Sequence, residues 1–216
     1  MENSYKQLDE ISDAVEQFQR ILEIKDKIKN DSTKIIALNV LANIYNDQGE
    51  LNKTEPLLEQ LFGIYEKQED FIEQRRILSN LGMTNLEKGD IINALSYFKT
   101  GLQFFIKEND LEQQGYLHTH IGDTYKLTQN STAALKYYEK ALDIAEQTAN
   151  LELREFCLNN LRLIQSDLND YQKVISYLEG MLAILTEKGL GDSQIARNLK
   201  DQIEETKSKS ISKKRT

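Results

Sequence analysis

The chain has 216 residues with a net charge of −8, 39% hydrophobic and 29% charged residues, one cysteine, one proline and no tryptophan. One cysteine excludes an intramolecular disulfide and points to a reducing compartment, and the polar N-terminus MENSYKQLDE has no apolar signal core, so the cytoplasm is the expected location. No uncharged apolar run is long enough to span a bilayer, which excludes integral membrane contact. The last ten residues hold five basic residues and no acidic one, so the body before them carries −13 and repels nucleic acid over most of its surface.

Abundant Leu, Ile, Glu, Lys, Gln and Asn favour helix throughout. A period of forty residues then organises the chain. One row reads Leu41, Leu81, Ile121, Leu161, and the next position reads Ala42, Gly82, Gly122, Arg162. Three further on come Tyr45, Asn85, Tyr125 and Gln165. In the helix that follows, the rows are Ala14, Thr54, Ala94, Ala134, Val174 and Phe18, Leu58, Phe98, Tyr138, Leu178. Each period is read as a pair of helices in which the small residue admits the large one. A single pair leaves apolar surface on both sides, so stability grows by stacking neighbours.

In chain order, the pattern predicts a flanking helical segment over 3–29 carrying Ala14, Phe18 and Ile21 on a second-type helix, with room inside residues 2–29 for a short, shifted first helix. Four repeats follow over about 33–70, 71–110, 111–150 and 151–190, and a last helix over 193–207 acts as a solvating cap. Pro56 is expected in the first turn of its helix, where its missing N–H costs nothing. In the second repeat, a helix over 75–87 is expected to stop at Lys88-Gly89, with glycine in the left-handed conformation. Asp90, Ser131 and Asp170 are the expected N-caps of the helices 91–107, 132–148 and 171–187. Asn109-Asp110 and Thr148-Ala149-Asn150 mark the turns between repeats. Residues 1–207 form one repeat domain in this reading, and the basic tail 208–216 is expected to be disordered. The tail reads as a solubilising end rather than a nuclear-import or anionic-surface contact.

These rows resemble the tetratricopeptide repeat, a large residue-x2-Leu-Gly-x2-Tyr followed by Ala-x3-Phe. The matches are Leu38/Leu41/Ala42/Tyr45, Leu78/Leu81/Gly82/Asn85, His118/Ile121/Gly122/Tyr125 and Leu158/Leu161/Arg162/Gln165. The usual tryptophan is Leu or His, and the closing proline is absent because each repeat carries six extra residues. Forty-residue versions are similar to those of G-protein-regulatory and mitotic-spindle scaffolds and of bacterial peptide-sensing regulators. The resemblance implies an all-α fold: a right-handed superhelix, or α-solenoid, of antiparallel helix pairs, with four full repeats and a half-repeat at each end.

Catalytic chemistry finds no support. His118 and His120 lie two apart on a helix and face different ways, and His118 fills the large packing slot. Cys157 falls in the apolar row Ala37, Ile77, Leu117 and reads as a buried thiol. No phosphate loop, nucleophile elbow or zinc spacing is present, so no enzyme, no metal and no cofactor are expected.

Function is then left to the concave face that the resemblance implies, lined by the first helix of each repeat. Its positions include Asn39 and Asn43 in the first repeat and Arg76, Asn80 and Met83 in the second. Tyr116, His120 and Asp123 follow in the third, and Phe156, Asn159 and Asn160 in the fourth. A carboxamide donates and accepts at once, so a ladder of asparagines can grip a peptide backbone without reading its side chains. The expected partner is another protein, through a peptide or helical segment. A chaperone C-terminal carboxylate is not expected, because the family's clamp needs basic residues where Asn39, Tyr116 and His120 stand. Two other readings stay open: a peptide-sensing regulator, and an assembly factor that uses the basic tail. The oligomeric state is left open.

Overall fold

The computed structural model describes residues 2–23 and 31–213, which form ten α-helices and no strand. They are α1 (Glu2–Glu23), α2 (Asp31–Asp47), α3 (Leu51–Lys67), α4 (Phe71–Glu87), α5 (Ile91–Lys107), α6 (Leu111–Leu127), α7 (Ser131–Gln147), α8 (Leu151–Asp167), α9 (Tyr171–Glu187) and α10 (Gln194–Lys213). By internal contacts the chain divides into two compact units, Met1–Phe104 and Phe105–Thr216, with the boundary inside α5. Helices in a repeat chain pack mainly on their neighbours in sequence, so such units are runs of consecutive helices.

Helices α2 to α9 are each 17 residues long, and from α2 to α9 every connection has three residues. The forty-residue period is therefore a twenty-residue beat struck twice. Each connection places its middle residue in the left-handed region: Gly49, Glu69, Gly89, Asn109, Gln129, Ala149, Asn169 and, after α9, Gly189, with φ between 53° and 78°. Around Gly89 the hydrogen bonds are those of a Schellman motif, Gly89 N–H to Leu86 O at 3.0 Å and Asp90 N–H to Asn85 O at 2.8 Å. A Cβ in this region costs roughly 1–2 kcal/mol. Ala149 is exposed and has no polar group to offset that cost. Ala149→Gly is expected to raise the stability by about 0.5–1 kcal/mol, less than the strain because glycine gives the unfolded chain more freedom. Urea unfolding of the two proteins measures it.

The third residue of most connections caps the next helix. Asp90 accepts from Asn93 N–H at 3.1 Å and Asp170 from Lys173 N–H at 3.3 Å, as expected. The cap of α7 is Asn130, accepting from Ala133 N–H at 3.1 Å, and not Ser131. A cap must stand one residue before the first helical one, and Ser131 already lies within the helix. Helix α4 begins a turn earlier than expected, at Phe71, where Asp70 accepts from Glu73 N–H at 3.1 Å. Pro56 is the sixth residue of α3 rather than part of its first turn. Its ring lies on the exposed side, so the helix continues while the Asn52 carbonyl loses its usual donor.

In the first unit, Leu38, Ala42, Leu58, Leu61, Ile64, Tyr65, Ile77 and Leu81 form one buried cluster, with Leu22 of α1 packed against it. A Cβ on Gly82 would stand 2.4 Å from the Phe98 ring. Asn85, fully buried in the slot where Tyr45 and Tyr125 stand, donates to Leu81 O at 3.0 Å and to Glu55 Oε1 at 2.9 Å. Lys88 pairs with the other oxygen of Glu55, and this pairing holds the Glu55 carboxyl below its usual range.

The second unit repeats the scheme. Tyr138 is fully buried with Ala134, Leu161 and Ile164, and a Cβ on Gly122 would stand 3.0 Å from its ring. Ala196, Leu199 and Ile203 of α10 pack on Val174, Leu178 and Leu185 of α9. Helix α10 runs to Lys213, six residues into the stretch expected to be disordered, while residues 214–216 lie outside those described. Three interactions support this extension: Lys207 with Glu204 and Lys209 with Glu205 along the helix, and buried Ser210 accepting from Gln172 Nε2 of α9 at 2.9 Å. At the other end α1 is one helix through Glu23, with Ala14, Phe18 and Ile21 half-buried and no separate short helix in 2–23. Residues 24–29 of the expected flanking helix lie outside those described.

Candidate interaction surfaces

In the first unit, α2 and α4 border a depression of about 220 Å³. Ala42, Thr54 and Leu58 form its buried floor, and Asn43, Asn46, Asn80, Met83 and Glu87 stand around it. Asn43 and Asn80 are exposed and make no hydrogen bond among the described residues, so four donor and acceptor sites face the opening. Met83 is 36% exposed and offers an adaptable apolar contact. Two other expected residues are occupied. Asn39 donates to Ile35 O at 3.0 Å and accepts from Arg76 Nη2 at 3.3 Å, while Arg76 also donates to Glu73 at 2.8 Å. Arg76 is thus charge-compensated.

The second unit differs. The Tyr116 hydroxyl accepts from Asn150 Nδ2 at 3.1 Å. Asn160, expected to hold a peptide, is buried and spent inside the protein: Lys126 Nζ donates to its Oδ1 at 2.7 Å, and its Nδ2 donates to Phe156 O at 3.1 Å. Asn159 Oδ1 accepts from Arg162 Nη2 at 3.0 Å. The asparagine ladder expected across the repeats is therefore open at Asn43 and Asn80 only. The cause is local: the long cations Lys126 and Arg162 reach the carboxamides of the fourth repeat first.

Aromatic and acidic groups are presented instead. Phe156 is 43% exposed, with its ring centroid 6.4 Å from that of Tyr138. The Tyr138 hydroxyl donates to Asp123 Oδ1 at 2.5 Å. Burial raises the Asp123 carboxyl above its ordinary value, against the pull of Tyr138, His120 and Lys126. Half-buried His120 is shifted down by burial, with Asp123 opposing. In the sequence Tyr138 shows only as a packing residue. Its hydroxyl, absent from Phe98 in the same row, was the available signal for the bond to Asp123.

The remaining candidates for chemistry, His118 and Cys157, are buried. His118 is buried, its ring 5.7 Å from that of Tyr137, and burial with the nearby Lys140 charge brings its pKa down to about 4. Cys157 is fully buried and its thiol is pushed up to about 12 by burial and then by the Asp123 charge, so it is a poor nucleophile. Among the described residues no cluster of His, Cys, Asp and Glu could hold a metal ion, and no helix is long and apolar enough to cross a membrane.

Models of the tetratricopeptide repeat match residues 35–67 and 116–148, which are most of α2 with α3 and most of α6 with α7. No curated protein matches the chain. Solved structures share the fold at low identity. BtubC (BKLC) from P. vanneervenii is 16% identical over 96% of this chain and 92% of that one, with a TM-score of 0.61. The apo form of RapI is 14% identical over 94% and 80%, with a TM-score of 0.69. A Rap protein complexed with competence and sporulation factor is 15% identical over 86% of this chain but 51% of that one, with a TM-score of 0.61. With two of its helix pairs matched by the repeat's own models and its other pairs on the same forty-residue register, the chain is a tetratricopeptide-repeat protein.

Proposed function

We propose that the protein is a non-catalytic adaptor that holds a peptide segment of a partner protein on the faces of its first helices. The observation that carries this reading is the depression between α2 and α4, where Asn43 and Asn80 are uncommitted above a buried floor of Ala42, Thr54 and Leu58. A carboxamide on each side can bond an extended backbone, and Met83 can cover an apolar side chain. Nearby Arg76 is compensated by Glu73, which suits a neutral or basic segment better than a free C-terminal carboxylate.

Asn43→Ala combined with Asn80→Ala tests the reading. Losing about 1 kcal/mol per hydrogen bond should weaken partner binding at least tenfold. The helices should keep their circular dichroism, since neither side chain bonds within the described protein. Crosslinking purification compared between wild type and double variant reads this out, and equal recovery of the same partner would refute it.

A second reading, a peptide-sensing regulator, draws on the fold shared with RapI and with the Rap protein bound to its factor. A sensor should compact and gain thermal stability with a short free peptide. An adaptor should show no change in its small-angle scattering.

A further inference from the structure

We propose that Asp123 is the specificity-determining residue of the second unit, receiving an arginine or lysine side chain of the partner segment beside the face of Phe156. This rests on the adaptor reading and adds the chemical class of side chain it selects. Asp123 is half-buried yet forms no ion pair among the described residues. Tyr138 holds only Oδ1, at 2.5 Å, which fixes the carboxylate in orientation and leaves Oδ2 for another donor. The one lysine whose charge bears on it, Lys126, is bonded to Asn160 Oδ1 at 2.7 Å.

His120 and Lys126 lower the Asp123 pKa without pairing with it, and a half-buried carboxylate that makes no direct ion pair weakens a fold unless something outside supplies the cation. Phe156 packs on the tyrosine that holds this group: its ring is 6.4 Å from that of Tyr138 and remains 43% exposed. A guanidinium can bond the carboxylate edge-on while its flat face lies on an aromatic ring, which a neutral side chain cannot do. The charge of −13 on the body before residue 207 draws a basic segment toward the surface.

The test uses the full-length protein and two probes, acetyl-Gly-Arg-Gly-amide and its citrulline counterpart, which has the same shape without the charge. In nitrogen-15 chemical-shift titrations, the arginine peptide should perturb amides of α6 and α8 and bind at least fivefold tighter than the citrulline peptide. Asp123→Asn keeps an acceptor for Tyr138 and removes the charge, so it should abolish the preference without changing the fold. Phe156→Ala should reduce it severalfold. Equal binding of the two peptides, a preference that survives Asp123→Asn, or no binding of the arginine peptide up to about 10 mM would each overturn the proposal. Asn43→Ala with Asn80→Ala should leave the preference intact, so failure of the adaptor reading in the first unit and failure of this site are seen separately.

Discussion

Gly82→Ala is expected to destabilise the protein by about 1–3 kcal/mol, while Gly122→Ala, its counterpart one repeat on, stays within about 1 kcal/mol of wild type. Both glycines lie inside helices, where alanine by itself gains roughly 1 kcal/mol. The difference lies in what the added methyl meets. At Gly82 three ring carbons of Phe98 lie 2.4, 2.5 and 2.9 Å from the Cβ position, and Phe98 has no exposed surface into which to retreat. At Gly122 the Tyr138 ring carbons lie at 3.0 to 3.2 Å, which a shift of a few tenths of an ångström relieves. Phe98→Leu added to Gly82→Ala should recover part of the loss, because Ala42 already faces Leu58 in the first repeat. Urea unfolding of the four proteins decides it; a Gly82→Ala variant as stable as wild type would show that the two helices slide apart freely.

That size matching was legible in the sequence. Glycine precedes an aromatic by sixteen residues at Gly82/Phe98 and Gly122/Tyr138, and alanine precedes leucine at Ala42/Leu58. The fold class and the helix pairing followed from such rows because backbone period and packing size are properties of single positions. The turns were less legible. Glu69, Gln129 and Ala149 sit in the left-handed region because a three-residue connection between 17-residue helices requires it, and not because their side chains favour it. The glycines, Asn109-Asp110 and Thr148-Ala149-Asn150 announced turns, but the left-handed conformation was legible only at the glycines.

The candidate surface was legible by position but not by availability. Asn43, Asn80 and Asn160 look alike as letters on one helix face, yet Asn160 is spent on Lys126 and the Phe156 carbonyl. Which carboxamide is free depends on long side chains reaching across from neighbouring helices. A helical row does not encode that reach. The same holds for Asp123, whose tie to Tyr138 joins two helices at fifteen residues' separation.

Acid should weaken the protein through His118 by about 2–4 kcal/mol between pH 7 and pH 4. His118 is only 7% exposed, packs on Tyr137, and has a pKa brought down to about 4 from 6.5 by burial and then by Lys140. Its Nδ1 has no hydrogen-bond partner among the described residues, so an imidazolium there would bury an N–H with no acceptor. Between pH 6.5 and about 4 the unfolded chain binds a proton that the folded one refuses. Stability is therefore full above pH 6.5 and falls as the pH drops toward 4. Half-buried His120 shifts in the same direction, whereas Asp123, raised by burial, binds its proton more readily when folded and works against the loss near the acid end. Leucine fills the same slot at Leu38, Leu78 and Leu158, so His118→Leu fits the packing and removes the titrating group. Urea unfolding of wild type and His118→Leu at pH 7, 5.5 and 4 should give curves that diverge as the pH falls, with the variant keeping the smaller residual slope of His120. Parallel curves would mean that His118 accepts its proton in the folded protein, and that the helices around it open more easily than their packing implies.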